Sequence, residues 1–411
     1  MENTDTNQWV SKVVIFLSSQ TISLFGSSVV GFAIIWYITL ETSSGSVMTV
    51  TILCTFLPQV LISLFAGVWA DRYSRKKLII YSDLFISIST LALAAVFISG
   101  MTTLYLIYLA AIIRSIGAGI QTPAVGAILP QIVPVGKLTR VNAINSTINS
   151  VMLLLAPAVG GLLLATAGFV YALLFDVVTG LAAVVIISFL KMEGGRISGE
   201  AVSMLEDLQR GVKYARENVL IKYLLLFYCL IFFLITPAVF LTPLLVERSF
   251  GSDVWRLTAN ELAWTIGALL GGIAVTIKGE LKNRIYTMKV SCLGFGITIA
   301  LMGIAPNFVL YLFVMFISGI FMPFYSTAEM VLIQENVEEQ MLGRVFSMIQ
   351  IIASVTMPLG MLVFGPLADF IKIEYMMIGT GLLQVCMALY IFSNKAILMY
   401  AAPAPSGEQQ P

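Results

Sequence analysis

The sequence contains no histidine, only four cysteines and few charged residues: Asp, Glu, Lys and Arg make up 11% of its 411 residues. Without histidine, a His-based metal site and a Ser-His-Asp triad are excluded, and proton chemistry falls to carboxyl groups. The four cysteines lie in different apolar runs, so they give no disulfide or zinc pattern. No nucleotide-binding P-loop is present either. We therefore expect neither an enzyme nor a bound cofactor.

Hydrophobic residues make up 59% of the chain. Uncharged runs recur along almost the whole length, and each reaches the ~20 residues that a membrane-spanning helix needs. The first run is too long for the core of a signal peptide, which predicts a permanent span. A net charge of +1 without a basic groove argues against nucleic-acid binding.

The apolar runs and the Gly, Pro and charge clusters between them predict an all-α membrane protein of twelve transmembrane helices. The expected helices are 12–40, 46–70, 78–99, 102–122, 140–166, 168–190, 219–246, 257–277, 286–304, 307–333, 344–368 and 375–394. Six of them precede a long polar segment and six follow it.

Basic residues set the expected orientation. With the N-terminus inside, 19 of the 23 Lys and Arg residues fall in cytoplasmic segments. We therefore expect a multi-pass protein of the plasma (inner) membrane with both termini in the cytoplasm.

A sequence repeat supports two halves. The string from Gly119 to Pro123 is echoed 200 residues later from Gly319 to Pro323. Parallel halves of this kind enclose a midplane site. The expected organisation is a six-helix bundle over 1–190, a linker over 191–218, a second six-helix bundle over 219–395 and a disordered cytoplasmic tail over 396–411. The linker reads as an amphipathic helix on the membrane face or as a flexible tether.

Three motifs resemble those of the major facilitator superfamily. The loop between helices 2 and 3, Gly67-Val-Trp-Ala-Asp71-Arg72-Tyr-Ser-Arg75-Lys-Lys, matches G-x-x-x-D-R-x-x-R-K. Helix 4 carries R-x-x-G-x-G, and helix 5 carries the P-x-x-G-G portion of an antiporter motif without its preceding Gly. The residues of these two helix motifs are Arg114, Gly117, Gly119, Pro157, Gly160 and Gly161.

Further strings, including Leu342-Gly343-Arg344-Val345-Phe346-Ser347, are similar to the macrolide-efflux branch of drug:proton antiporters. The resemblance implies export of hydrophobic or amphiphilic drugs by proton antiport with alternating access, by a chain that works as a monomer. Transport of a lipid, lysolipid or nutrient stays open, as does a non-transporting membrane sensor or immunity protein, because the fold does not fix the substrate.

The chemistry of the motif residues also predicts roles for them. Asp71 and Arg75 are candidates for a cytoplasmic latch, because an Asp at a helix end can approach another helix N-terminus. The paired glycines favour close helix contact. Asp83 lies at a depth similar to that of Arg114, which makes an ion pair between the two feasible. The candidate latch group also includes Gly67, Arg72 and Asp83.

Ionisable residues inside the membrane are functional candidates by default. We rank the candidate proton carriers in the order Glu261, Asp176 and Glu329, with Arg114 as a further coupling candidate. Glu261 comes first because the resemblance places its helix at the interface, whereas Asp176 belongs to a peripheral helix in the superfamily.

The substrate surface is predicted from polar and aromatic residues in apolar helices. Three Asn residues form a stripe on helix 5, which fits either substrate binding or interhelical hydrogen bonding. Aromatic rings on helices 1 and 7 fit either an apolar pocket or simple packing. The candidates are Gln20, Phe25, Asn142, Asn145, Asn149, Phe227, Tyr228, Phe232 and Phe233.

Overall fold

The computed structural model describes residues 2–191, 213–214, 216–279, 281 and 283–391, for residues 2–8 the backbone only. The predicted tail at 396–411 and most of the predicted linker at 191–218 lie outside these residues. Within the described ranges the chain forms α-helices and one 3₁₀ turn, Val135–Lys137, and contains no strand. The all-α prediction is confirmed.

The helices follow the predicted order closely. Those of the N-terminal half are α1 Glu2–Thr42, α2 Gly45–Arg72, α3 Arg75–Ile98, α4 Leu104–Ile132, α5 Leu138–Thr166 and α6 Phe169–Ser188. Those of the C-terminal half are α7 Val219–Leu234, α8 Thr236–Phe240, α9 Thr242–Phe250, α10 Val254–Lys278, α11 Arg284–Met302, α12 Phe308–Asn336, α13 Glu339–Leu367 and α14 Ile373–Ile391. Eleven of the described helices are long and apolar enough to cross a membrane.

The seventh predicted helix, 219–246, is wrong as a single element. It consists of α7, α8 and α9, with breaks at Ile235 and Leu241. Pro237 and Pro243 follow these breaks in the first turn of α8 and α9. Proline is favoured there because its missing N–H is not needed in the first turn of a helix.

In α4, by contrast, proline does not break the helix. The predicted end at residue 122 is wrong, since the helix runs through Pro123 and Pro130 to Ile132. Membrane helices tolerate proline where neighbouring groups satisfy the freed backbone carbonyls. The carbonyls that lose a helical donor here are those of Gly119 and Gly126, four residues before each proline.

The chain divides into two compact units. The first comprises Met1–Ser43, Val47–Gly199 and Asp253–Thr258, and the second comprises Ser44–Ser46, Glu200–Ser252 and Ala259–Pro411. In the first unit α1 packs on α4, α5 and α6, and α3 packs on α4 and α6. In the second unit α11 packs on α12 and α14, and α13 packs on α7, α8 and α12.

Asparagine side chains define three helix starts in the second unit. Asn218, Asn283 and Asn307 each accept a hydrogen bond from the backbone N–H three residues later, at 3.1, 2.8 and 2.9 Å. Such N-caps satisfy one of the free donors of a helix start. They fix where α7, α11 and α12 begin and therefore the register of the side chains described next.

Candidate functional site

A buried ion pair joins α4 and α6 in the first unit. Arg114 Nη1 donates to Asp176 Oδ2 and lies against Thr90 Oγ1 of α3. Thr90 Oγ1 and Ser27 Oγ each donate to the Asp176 carboxylate at 3.1 Å. The Arg114 and Asp176 side chains are only 11% and 3% exposed. Four helices therefore satisfy one charged pair inside the membrane part of the protein, which is the condition under which such a pair is tolerated.

Asp83 has different partners from those expected. Its Oδ1 accepts hydrogen bonds from Ser23 Oγ at 2.6 Å and from Gln121 Nε2 at 2.8 Å. The predicted ion pair between Asp83 and Arg114 is therefore wrong, because the guanidinium of Arg114 turns to Asp176 instead. The estimate of equal depth was counted from a helix end at residue 122, whereas α4 continues to Ile132. Arg114 therefore lies level with Thr90, about two helical turns from Asp83.

Three of the predicted substrate-surface residues come together in the first unit. A groove of about 190 Å³ between α1 and α5 is lined by Gln20, Asn145 and Asn149, with Phe32 and Met152 among its apolar residues. The Gln20 side chain is buried, and neither of its polar atoms has a partner among the described residues. The groove therefore offers polar groups on an otherwise apolar wall, as a site for amphiphilic molecules requires.

The other predicted residues of α1 and α5 lie elsewhere. Asn142 is exposed and does not line this groove. Phe25 packs edge-on against Phe175 of α6, with ring centroids 5.9 Å apart. Phe25 is thus a packing residue in this structure.

The aromatic residues of α7 divide between core and cavity. Phe227 is fully buried in the apolar core of the second unit, and Phe233 packs on Phe364 of α13 at 5.1 Å. Tyr228 and Phe232 stack on each other at 5.5 Å and line a cavity of about 100 Å³. We name it the aromatic cavity; its five rings are those of Tyr228, Phe232, Phe295, Phe321 and Tyr325.

The remaining carboxyl candidates lie on α10 and α12. Glu261 is half-buried on α10, and neither an ion pair nor a hydrogen bond to its carboxyl exists within the described residues. Its neighbour Asn260 accepts a hydrogen bond from the hydroxyl of Tyr311 at 2.8 Å. Glu329 is half-buried on α12 and lines the aromatic cavity. Neither carboxyl is paired with a cation in the part of the chain that the structure describes, whereas that of Asp176 is paired with Arg114.

The loop between α2 and α3 is organised by Arg75. Its guanidinium donates to the Ala70 carbonyl at 3.0 Å, to the Ala127 carbonyl of α4 and to Asp71 Oδ1 at 3.3 Å. Arg75 is buried, whereas the Asp71 side chain is 66% exposed. Arg72 is exposed, and Gly67 has open space around it. Arg75 thus holds the end of α2 against α4 and leaves the Asp71 carboxylate accessible.

Four motif glycines lie where helices approach closely. A Cβ on Gly117 would meet Ile86 of α3 at 2.6 Å, and one on Gly119 would meet the Gln59 carbonyl of α2 at 2.8 Å. Gly160 lies against the Val29 carbonyl of α1, and Gly161 lies against Trp36 and Thr258. Pro157, one turn before, is buried inside α5. Larger side chains at these glycines would push helices of the first unit apart.

Sequence reasoning missed the carboxylate of Asp369, between α13 and α14, which accepts several hydrogen bonds. Its carboxylate accepts from Gly45 N at 2.7 Å, from Ser46 N at 3.0 Å and from the Ser46 hydroxyl at 2.6 Å. Arg248 Nη2 lies 3.3 Å from it. The only signal in the sequence was an Asp in a short connection. Asp369 therefore caps the first residues of α2, Gly45 and Ser46, which belong to the same compact unit as Asp369.

The pH dependence of this cap is predictable. Burial alone would raise the pKa of the Asp369 carboxyl, but the hydrogen bonds from Ser46, Gly45 and Ser44 outweigh it and hold the pKa below the ordinary 3.8. The stabilisation is therefore present at neutral pH and is lost as the pH falls below about 3.8. We expect Asp369→Asn to lower stability by about 1 kcal/mol at pH 7, because hydrogen bonds to a charged carboxylate are stronger than those to a neutral amide.

Thermal unfolding of both proteins in detergent from pH 7 to pH 3 tests this expectation. The gap between wild type and Asp369→Asn should close at the acid end. Asp253→Asn, which removes an exposed carboxylate paired with Arg256 within one turn, is the matched control. A gap that stays constant with pH would contradict the assignment.

No group of three or more potential metal ligands from His, Cys, Asp and Glu occurs in the described part of the chain. The candidate residues inside the helices instead occur as one ion pair with both side chains buried, single carboxyls and amides. Together with the eleven candidate spans, this arrangement defines a multi-pass membrane protein with ionisable residues inside its helical units.

The family follows from comparison with known proteins. The Major Facilitator Superfamily model matches residues 16–361, and the chain belongs to this family. The predicted family and fold are thus confirmed, and its members are transporters rather than enzymes.

Individual relatives and solved structures show which members of the family the chain is similar to. The chain is 29% identical to Macrolide efflux protein A of Streptococcus pyogenes over 93% of this chain and 96% of that protein. It is 23% identical to the Multidrug efflux pump Tap of Mycolicibacterium fortuitum, over 84% and 85% of the two chains. A bacterial homologue of the iron transporter ferroportin, solved in an inward-facing state, superposes with a TM-score of 0.73 at 16% identity, over 94% and 99% of the chains. This last likeness concerns the fold alone.

Proposed function

We propose that this protein exports hydrophobic or amphiphilic drugs of the macrolide type across the membrane by proton antiport and alternating access. The observation that carries the proposal is the likeness to Macrolide efflux protein A over nearly the full length of both chains. The multidrug pump Tap supports the same class of substrate. Drug export is favoured over the lipid, nutrient and sensor alternatives because the identity to Macrolide efflux protein A, 29%, exceeds the 23% identity to a transporter of another named substrate.

The chemistry of the helices supports this function. The α1–α5 groove and the aromatic cavity each present a largely apolar wall with a few polar groups, which suits amphiphilic molecules. Proton antiport needs a carboxyl that can be protonated and deprotonated in turn. Glu261 is the first candidate and Glu329 the second, because neither is held by a cation in the described structure. Asp176 ranks below both as a candidate proton carrier, because its charge is paired with that of Arg114.

Transport into everted membrane vesicles tests the function directly. Vesicles with an acidic interior should accumulate a radiolabelled macrolide, and an uncoupler that collapses the pH gradient should release it. Vesicles without the protein are the control. Accumulation of a labelled lysolipid in place of the macrolide would overturn the proposed substrate class.

The proposed orientation has its own test. With both termini in the cytoplasm, Ser252, between α9 and α10, lies outside the cell. In a Ser252→Cys variant that lacks the four native cysteines, a membrane-impermeant maleimide should label intact cells. Asp71→Cys in the same background is the control that should react only after the membrane is opened. Labelling of Ser252→Cys only in opened cells would overturn the orientation.

Asp71 is proposed to act as a conformational latch. Its carboxylate is accessible, and its bond to Arg75 is a single contact at 3.3 Å with one exposed partner, worth at most ~1 kcal/mol. We expect Asp71→Asn to reduce macrolide uptake by everted vesicles at least tenfold while expression and thermal stability stay close to wild type. Wild-type uptake by this variant would reduce Asp71 to an orientation signal.

A further inference from the structure

A basic pocket lies at one end of the first unit, where the start of α3, the end of α6 and the N-terminal part of α1 come together. Its volume is about 1280 Å³, which corresponds to about forty water molecules at ~30 Å³ each. No Asp or Glu lines it among the residues that the structure describes. We name it the lysine pocket after the four lysines of its lining: Lys12, Lys76, Lys77 and Lys191.

One of the four lysines has a structural role. Lys76 Nζ donates to the Ser188 carbonyl at 2.7 Å and to the Leu190 carbonyl at 2.8 Å. These carbonyls lie at the C-terminal end of α6, whose negative partial charge the Lys76 ammonium offsets. Lys76 therefore joins α3 to α6 and neutralises the part of the pocket wall that would repel an anion.

The other three lysines are available to a ligand. None of Lys12, Lys77 and Lys191 has an ion-pair or hydrogen-bond partner within the described ranges of the chain. They belong to three separate segments, so the fold brings their ammonium groups to one concave surface. Ser74, which also lines the pocket, does not cap α3 with its side chain, so the positive partial charge of that helix start adds to theirs. This concentration of positive charge selects an anion.

Apolar side chains line the rest of the pocket and narrow the class of anion. Tyr81 of α3 and Phe189 at the end of α6 are 64% and 70% exposed. Both helices are candidate membrane spans, and aromatic residues near the end of a span contact lipid at the membrane surface. A free phosphate ion would leave these rings unused, whereas a phospholipid has acyl chains that pack on them.

We propose that the lysine pocket binds one anionic phospholipid, with its phosphate among Lys12, Lys77 and Lys191 and its acyl chains along the exposed rings. Basic pockets between membrane helices bind lipid head groups in this way. A zwitterionic lipid carries its own ammonium, which the lysines repel, so lipids of net negative charge are preferred. The lipid is a bound component of the first unit and not the transported substrate, so the inference does not depend on the proposed drug export.

The test counts the lipids bound to the purified full-length protein in detergent at pH 7 by native mass spectrometry. The probes are phosphatidylglycerol, which is anionic, and phosphatidylcholine with the same acyl chains, which is zwitterionic. Each nearby lysine adds about fivefold to the affinity for anionic lipid. We therefore expect the first phosphatidylglycerol to bind at least tenfold more tightly than the first phosphatidylcholine.

Paired variants locate the preference. Lys12→Gln together with Lys77→Gln should lower the affinity for phosphatidylglycerol at least tenfold and leave that for phosphatidylcholine unchanged. Lys137→Gln together with Arg140→Gln is the matched control, because it removes two exposed charges at the same end of the first unit but outside the pocket. Each variant is first checked for a wild-type unfolding temperature. If the pocket variant unfolds, Lys191→Gln decides alone, with an expected loss of about fivefold.

Soluble sn-glycerol 3-phosphate distinguishes a lipid site from a phosphate site. It lacks acyl chains, so it should not displace phosphatidylglycerol at equal concentration. Displacement at equal concentration would overturn the lipid assignment and leave a site for free phosphate.

Three further outcomes would overturn the inference and leave the lysines as an orientation signal: equal affinity for the two lipids, an unchanged preference in the folded pocket variant, or an equal loss in the control pair. The vesicle assay is independent of these outcomes. Macrolide export without a preference for anionic lipid removes the inference and keeps the proposed function, whereas the preference without export does the reverse.

Discussion

Replacing Asp176 by Asn is expected to remove most of the folded protein at 37 °C. The substitution leaves the Arg114 guanidinium charged, 11% exposed and without its carboxylate, between helices that offer only Thr90 in exchange. Breaking a buried pair from one side costs about 3–5 kcal/mol, because the remaining charge stays desolvated. That is a large fraction of the ~5–15 kcal/mol by which folded domains are stable.

The experiment is thermal unfolding in mild detergent, monitored by the loss of the monodisperse peak in gel filtration. Asp83→Asn is the matched control, because Asp83 is also buried but is held by Ser23 and Gln121 rather than by a cation. It should cost only about 1–2 kcal/mol.

A double variant separates charge from packing. Arg114→Gln together with Asp176→Asn removes both charges and should recover much of the loss, since no charge is left unpaired. A double variant that is as unstable as the sum of its parts would show that the two residues act through packing, not through their charges.

The second large effect is expected at Glu261. Glu261→Gln should abolish gradient-driven uptake by everted vesicles, at least a hundredfold, and should preserve substrate binding. Glutamine keeps the shape and the hydrogen-bonding capacity of the side chain but cannot exchange a proton. Because the carboxyl has no partner in the described structure, its loss should leave the stability of α10 nearly unchanged.

Substrate affinity across pH 5 to 8 gives the complementary measurement. A proton and a substrate that bind within one conformational cycle are linked, so wild-type affinity should vary with pH and the Gln variant should lose part of that variation. Glu339→Gln is the control at an exposed carboxyl. Intact export together with unchanged pH dependence in Glu261→Gln would eliminate Glu261 and move the assignment to Glu329.

Hydrophobic runs and basic clusters were enough to predict nearly all helices, because a bilayer requires about 20 apolar residues per crossing and forces backbone hydrogen bonds into helices. Proline was the main source of error. Prolines follow the helix breaks before α8 and α9, whereas α4 continues as a helix through Pro123. Whether a membrane helix continues through a proline depends on its tertiary surroundings, which a single sequence does not show.

The candidate site was predicted less completely than the fold. Residue types identified Asp83, Arg114 and Asp176 as unusual, since charges are costly in a membrane. The depth of Arg114 was counted from the wrong end of α4, and its partner also depends on the rotation of α3, α4 and α6 about their axes. The aromatic cavity needed Gln384 and Phe295 from distant segments, whose proximity follows from tertiary packing alone.

The ion pair between Arg114 and Asp176 also constrains how the protein is made. The two residues are 62 positions apart, so α4 leaves the ribosome well before its counter-ion. An unpaired Arg at the centre of a helix adds ~2.5–3.5 kcal/mol to its insertion into the bilayer. We therefore expect α4 to insert stably only together with α6, so that the first unit closes in one late step of its synthesis.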